Sequence, residues 1–313
     1  MNEHRLLSYN CFKRKGYRMS QPIILVVGAT GMLGTPVAER LLREGYRVRA
    51  LVRNPEAARQ RLGEHVEYAS GDVRDEAQVR AALRGCAGVH ISLQGHTLAE
   101  FEAVEHQGGA LVARLAAEQG VGRISYVSGA MVSAEANSAP QQYAKYQAEQ
   151  AIRQSGVAYT IFKPTFFMET LPLSVQGSRA IVVGGQRRPL RYVAASDFAG
   201  LVARAFRTPE AAGKDLFVYG PQALTPYEAT ATYCRIAAPH AKISTTPLWM
   251  MRALNTLFLR GALSPYLTIV QLAQRLGEPG DPAATERILG APTTTLEQWC
   301  QQRTAPLTVE QGA

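Results

Sequence analysis

Four cysteines are scattered over the 313 residues, at positions 11, 86, 234 and 300, and no two stand at metal-ligand spacing. A disulfide-stapled scaffold and a cysteine-built metal centre are thereby excluded, and a reducing, cytoplasmic setting is expected. His96 and His106 also lack partners at metal spacing and read as surface or loop histidines. No apolar run is long and uncharged enough to cross a bilayer, and the first residues lack the apolar centre of a secretory signal. Acidic residues are in deficit, 25 Asp and Glu against 34 Lys and Arg, for a formal net charge of +9.

Such an excess suits polyanions, but much of it is local. Arg5, Lys13, Arg14, Lys15 and Arg18 stand against the single Glu3, ahead of Met19. We expect residues 1–19 to be a basic extension outside the fold: not natively translated, with Met19 the initiator, or disordered, or a targeting peptide. Without it the chain is a mildly basic globular protein, and nucleic acid is not an expected partner. A hydrophobic content of 46% over this length supports one large α/β domain with a smaller appended region.

What is present is most informative from Ile23 to Gly34. The apolar run Ile23-Ile24-Leu25-Val26-Val27 enters a turn, Gly28-Ala29-Thr30-Gly31-Met32-Leu33-Gly34, with glycines three residues apart. A tight turn, close approach of backbone to a pyrophosphate, and tight packing of helix on strand each need a residue without a Cβ. Amides at the helix start then face the phosphates. An NAD-preferring site places Asp or Glu about 20 residues further on. Here the strand Arg47–Val52 ends instead in Arg53 and Asn54. A guanidinium there suits a 2′-phosphate, so NADP (NADPH) is expected over NAD.

Strands and helices then alternate. A helix from Met32 to Glu44 closes at Gly45; a short helix spans Pro55 to Leu62; a third strand, His65 to Ser70, ends in Gly71-Asp72-Val73. A fourth strand and its exit cover Gly88 to Gly95, where the backbone around Ser92 would border the cofactor. Leu98 to Gln119 reads as one helix with Phe101, Val104, Leu111, Val112 and Leu115 on the sheet. A fifth strand from Arg123 delivers Ser128 to the carboxyl edge. This order predicts a doubly wound parallel sheet with its ligands beyond the carboxyl ends of the strands.

These residues resemble the short-chain dehydrogenase/reductase superfamily, in its atypical NmrA-like branch. The resemblance rests on the glycine turn, Gly71-Asp72-Val73, Tyr126-Val127-Ser128, Lys145 with Glu149, the run from Ser155 to Pro164, and Tyr192-Val193-Ala194-Ala195-Ser196-Asp197, covering about residues 23 to 220. It implies cofactor contacts from Gly28, Thr30, Gly31, Met32, Leu33, Gly34, Arg53, Asp72, Val73, Ser92, Lys145, Pro164 and Phe167. Competent relatives use a serine to polarise a carbonyl, a tyrosine to pass the proton, and a lysine four residues later to lower the tyrosine pKa and hold the nicotinamide ribose. Ser128 fits the serine and Lys145 the lysine, but the tyrosine position is Gln141. Glutamine donates a hydrogen bond and cannot give up a proton.

Ser138 as cap and Pro140 in the first turn predict a helix from about 140 to Ser155. Tyr143 and Tyr146 then point away from the face holding Gln141 and Lys145, being turned by ~200° and ~100°. Lys145 is also spaced for an i,i+4 ion pair with Glu149. Lys163 stands where relatives usually carry Arg, and Phe166, Phe167 and Met168 after Pro164 would make the nicotinamide pocket apolar, with at least one of them simply buried. Asp197 reads as a helix cap.

Beyond residue 220 the pattern is mostly helical: Thr225 to Ala237, an apolar helix in Pro247–Leu259, Ser264 to Leu276, and a terminal helix at Thr293–Trp299. The expected organisation is an NAD(P)-binding Rossmann domain over 20–220 and a helical substrate lobe over 221–313, with 164–180 contributing to the pocket. The expected function is an NADP-dependent oxidoreductase acting on a small apolar substrate, as monomer or homodimer. A non-catalytic NADP(H) sensor and a membrane-peripheral assembly factor are the alternatives.

Overall fold

The computed structural model describes residues 21–135, 139–185 and 187–304. The basic extension and Ser138 lie outside the described residues. The strands of the first half are β1 (Ile23–Val27), β2 (Arg47–Val52), β3 (Val66–Ser70), β4 (Gly88–Ile91), β5 (Arg123–Val127) and β6 (Tyr159–Pro164). They continue as β7 (Val175–Gln176), β8 (Arg179–Val183), β9 (Leu190–Arg191), β10 (Lys214–Val218), β11 (Ala223–Leu224) and β12 (Lys242–Thr246). The helices are α1 (Gly34–Arg43), α2 (Pro55–Leu62), α3 (Glu76–Leu83), α4 (Leu98–Glu100), α5 (Gln107–Glu118) and α6 (Pro140–Gln154). They are followed by α7 (Ala195–Ala205), α8 (Pro226–Ala237), α9 (Leu248–Phe258), α10 (Ser264–Leu276), α11 (Ala283–Leu289) and α12 (Leu296–Thr304).

Seven strands form one sheet in the order β10-β6-β5-β4-β1-β2-β3. Every pairing within it is parallel. This is the expected doubly wound Rossmann architecture. Alternate residues of β1 feed opposite cores: Ile24 and Val26 join α1 and α7 through Val37, Leu41 and Phe198, while Leu25 and Val27 join α5 and α6 through Val112, Leu115 and Ile152. Burial of both faces is why β1 is continuously apolar rather than alternating.

Two departures from the expected elements matter for the site. The helix expected from Leu98 to Gln119 is broken into α4, a π-helical segment Phe101–His106, and α5. The wider π turn inserts a residue into the helical repeat and re-aims side chains, a device often found at functional sites. Asp197 is not the cap of α7, which starts at Ala195 with Ala194 before it. The amide of Ala195 donates to Glu169 at 3.1 Å. Asp197 instead holds the chain before α12, accepting from the amides of Thr293 and Thr294 at 2.7 and 2.8 Å.

The region after residue 220 is mainly helical, yet it also supplies a strand. β12 extends a small sheet of order β12-β8-β7, so the segments 175–183 and 242–246 are woven together.

Candidate functional site

The glycine turn has the geometry of a phosphate cradle. Gly28 has φ +84°, and a Cβ there would lie 2.1 Å from the carbonyl oxygen of Ser92. A Cβ on Gly34 would lie 2.0 Å from the carbonyl oxygen of Gly28. Neither position accepts any other residue, because backbone rather than a movable side chain occupies the space. Gly31 and Met32 are exposed, with Gly31 NH donating to the Gly28 carbonyl at 3.0 Å. Leu33 at the N-cap of α1 contributes no side-chain acceptor, and the first turn holds no carboxylate. The helix start therefore presents positive potential without a resident anion, which fits a dinucleotide pyrophosphate. Thr30 completes the turn, and Thr35 Oγ1 braces it by donating to the Ala29 carbonyl at 3.1 Å.

Beyond β2 and β3 lies a charged rim. Arg53 is exposed and acts on Asp72, whose carboxyl is lowered to about 2, first by hydrogen bonds from Arg74 and further by the Arg53 charge. Arg74 grips Asp72 through Nε at 2.8 Å and Nη2 at 2.7 Å. Arg74 carried no expectation from sequence; its position two residues after Asp72 is the local signal for it. Val73 is buried against α5, where a Cβ on Gly108 would stand 3.0 Å from its methyl group.

The centre of the carboxyl edge is a buried charge cluster built on α6. Gln141, Lys145 and Glu149 recur every four residues and share its inward face. Lys145 Nζ lies 2.9 Å from Glu105 Oε2, in an ion pair that is not aligned as a hydrogen bond. It also donates to the Leu93 carbonyl at 3.4 Å. Glu105 Oε1 accepts from the amide of Gly95 at 2.8 Å and from Gln141 Nε2 at 3.0 Å. The glutamine in the tyrosine position thus serves a carboxylate delivered by the π segment. Glu105 is wholly buried. Sequence reading missed it, although it interrupts an apolar stripe between Phe101 and Val112, and a carboxylate there needs a partner.

A second cluster adjoins the first. Glu149 accepts from Ser128 Oγ, from Lys163 Nζ at 3.1 Å and from Arg153 at 2.9 Å, and Arg153 continues to Asp215. Two expectations are corrected here. Glu149 is not the ion-pair partner of Lys145. Ser128 spends its hydroxyl hydrogen on Glu149 and is 6% exposed, so it braces the cluster rather than presenting a free donor. The reason is electrostatic: a carboxylate enclosed beside β5 gains more from a charge-assisted hydrogen bond than from solvent it cannot reach. Between the clusters the Tyr126 hydroxyl is buried without a partner, and burial with the Glu105 and Glu149 charges drives its pKa well above the usual value.

Tyr143 and Tyr146 stack on each other with centroids 6.3 Å apart and do not replace the absent acid. Pro164 ends β6, where its carbonyl accepts from the amide of Ala130 at 2.8 Å. The Phe167 ring is also corrected: it packs edge-on against Phe198, 5.4 Å away, inside the core instead of lining an open pocket. Met168 is buried, and Phe166 is half-buried beside Tyr192. Ser92 contributes backbone, since its carbonyl closes over Gly28. Among the described residues no cluster of His, Cys, Asp and Glu is arranged to hold a metal.

Residues 28–209 match a family described as NAD(P)H-binding. The chain is 33% identical over 219 residues to the (4-alkanoyl-5-oxo-2,5-dihydrofuran-3-yl)methyl phosphate reductase of Streptomyces griseus, covering 68% of this chain and 73% of that protein. It is 29% identical over 249 residues to the NAD(P)H azoreductase of Xenophilus azovorans, covering 74% and 83%. The NADPH-dependent quinone oxidoreductase of Escherichia coli, solved with NADPH, superposes with a TM-score of 0.72 at 22% identity, over 90% of this chain and 100% of that one. With a glycine cradle suited to pyrophosphate and a lysine at the carboxyl edge of the sheet, the chain belongs to the NAD(P)H-binding family and is an oxidoreductase.

Proposed function

We propose that the protein is an NADPH-dependent reductase of small, apolar, electron-poor acceptors of the quinone or conjugated-carbonyl class. The observation that carries this reading is Gln141, whose amide is committed to Glu105 where a proton-donating phenol would stand. Without a strong acid at hand, the acceptor itself must stabilise the charge that arrives with hydride. A quinone or enone does so by delocalising it as a phenolate or enolate, whereas a simple ketone would form an alkoxide that demands a proton at once. Bound NADPH would supply the hydride from its nicotinamide ring.

Lys145 has three donor hydrogens, and contacts to Glu105 and Leu93 leave capacity for a ribose hydroxyl or a developing oxygen anion. Arg53, beside Asp72 and Arg74, supports recognition of a 2′-phosphate and hence preference for NADPH over NADH. The relatives named above act on a furanone, on azo compounds and on quinones, all electron-poor and unsaturated.

Consumption of NADPH by the purified protein should be followed with quinones, enones, simple ketones and aldehydes. Turnover confined to the first two classes is expected. Comparable kcat/KM on simple ketones would overturn the assignment of acceptor class, and tight NADPH binding without any turnover would favour a sensor of the cofactor.

A further inference from the structure

Two long segments of the chain contain no Asp or Glu: Thr170 to Ser196, and Ala229 to Gly277. They are distant in sequence, but the fold lays them together. β12 pairs in parallel with β8, from Lys242 opposite Arg179 to Thr246 opposite Val183. Val183 then packs with Leu267 and Val270 of α10, against which Leu248 and Met251 of α9 also lie. These segments place Arg179, Lys242, Arg252, Arg260 and Arg275 in one lobe with no carboxylate within the segments themselves, Arg191 and Arg235 being paired with Glu278 and Glu297 from outside them.

On this cationic lobe α9 turns a second apolar face outward. Its inner side is Leu248, Met251 and buried Asn255; on the other side Trp249 is 71% exposed and Leu257 and Phe258 are each 73% exposed. The helix is not loosely attached. Asn255 Oδ1 accepts from the amide of Leu263 at 2.8 Å and its Nδ2 donates to Ser264 Oγ at 3.0 Å, which pins the turn into α10. Contiguous large apolar groups held rigidly in the open mark a contact surface. No described helix is long and apolar enough to cross a membrane.

Charge decides what fits. A two-fold contact with a second copy sets a patch against itself, and here it would oppose arginines to arginines with no carboxylate to offset them. A bilayer with anionic headgroups meets both requirements: apolar side chains enter the headgroup and acyl boundary while the arginines sit at the phosphates. We infer that α9 and the acid-free lobe around it form a monotopic docking surface for anionic lipid membranes.

Co-sedimentation of the full chain with phosphatidylcholine vesicles, with and without phosphatidylglycerol, tests this. Binding should require phosphatidylglycerol, weaken as salt is added, and fall at least tenfold in Trp249→Ser/Leu257→Ser/Phe258→Ser. Arg252→Gln and Arg260→Gln should each cost about fivefold. Unchanged thermal melting of these surface variants would show that folding is intact. Equal binding by the triple variant, or binding abolished by deleting residues 1–18 alone, would overturn the inference. So would a concentration-dependent dimer that the triple variant dissolves while vesicles are never bound.

Discussion

Glu105 and Lys145 stand 2.9 Å apart, the carboxylate wholly buried on a π-helical turn and the ammonium on the inward face of α6. Each neutralises a charge the other could not carry alone in a dry interior. Gln141 and the amide of Gly95 complete the coordination of Glu105, so the lysine is held in place without the tyrosine that usually accompanies it.

Breaking this pair from one side should be costly. Glu105→Gln leaves a buried ammonium uncompensated, and a loss of about 3–5 kcal/mol is expected in urea denaturation. The double variant Glu105→Gln/Lys145→Met should lose less than the sum of the single variants, with a coupling of about 1–3 kcal/mol. Lys145→Met should also weaken NADPH binding. Additive losses would show that the two residues are not energetically paired.

On the proposed reading, Arg53 sets the choice of cofactor. Arg53→Asp removes a cation from the 2′-phosphate position and places a second carboxylate near Asp72. The ratio of NADPH to NADH affinity should fall roughly ten- to hundredfold, the value of one charge-assisted hydrogen bond. Equal ratios in titrations of both proteins would refute this role.

His90 makes the fold sensitive to acid. Its Nδ1 lies 2.9 Å from Ser125 Oγ, its Nε2 has no partner, and burial lowers its pKa from 6.5 to about 3. Above pH 6.5 the ring is neutral in both folded and unfolded chains, and the stability linked to it is complete. As pH falls from 6.5 toward 3, the unfolded chain takes up a proton that the folded one refuses, and stability declines by up to ~1.4 kcal/mol per unit. Denaturant midpoints of His90→Gln measured across that window should show a shallower slope. An unchanged slope would place the sensitivity in other groups.

The alternation of strands and helices, the glycine turn and the carboxyl-edge placement of Ser128 and Lys145 were legible along the chain. Each depends on near neighbours: apolar runs that can only be buried between helices, and glycines where any Cβ would strike backbone. The role of Glu105 was not legible, because its interruption of the apolar stripe names no partner and nothing local in residues 98–119 marks the π turn. The π turn that aims Glu105 inward is stabilised by partners on Gly95, Gln141 and Lys145, none of them within its own helix. The bond from Ser128 to Glu149 was hidden for the same reason, since Glu149 reaches it from 21 residues away. The Phe167 ring, expected in the nicotinamide pocket, went to the core through Phe198.

By itself the sequence determined the parallel sheet, the dinucleotide cradle and the absence of a tyrosine at position 141, since hydrophobic periodicity and missing Cβ atoms act over a few residues. Only the tertiary structure decided how the charges pair and where the acid-free segments meet. Coulomb energy in a low-dielectric interior depends on distances between residues far apart in the chain, and those distances exist only once the chain has folded.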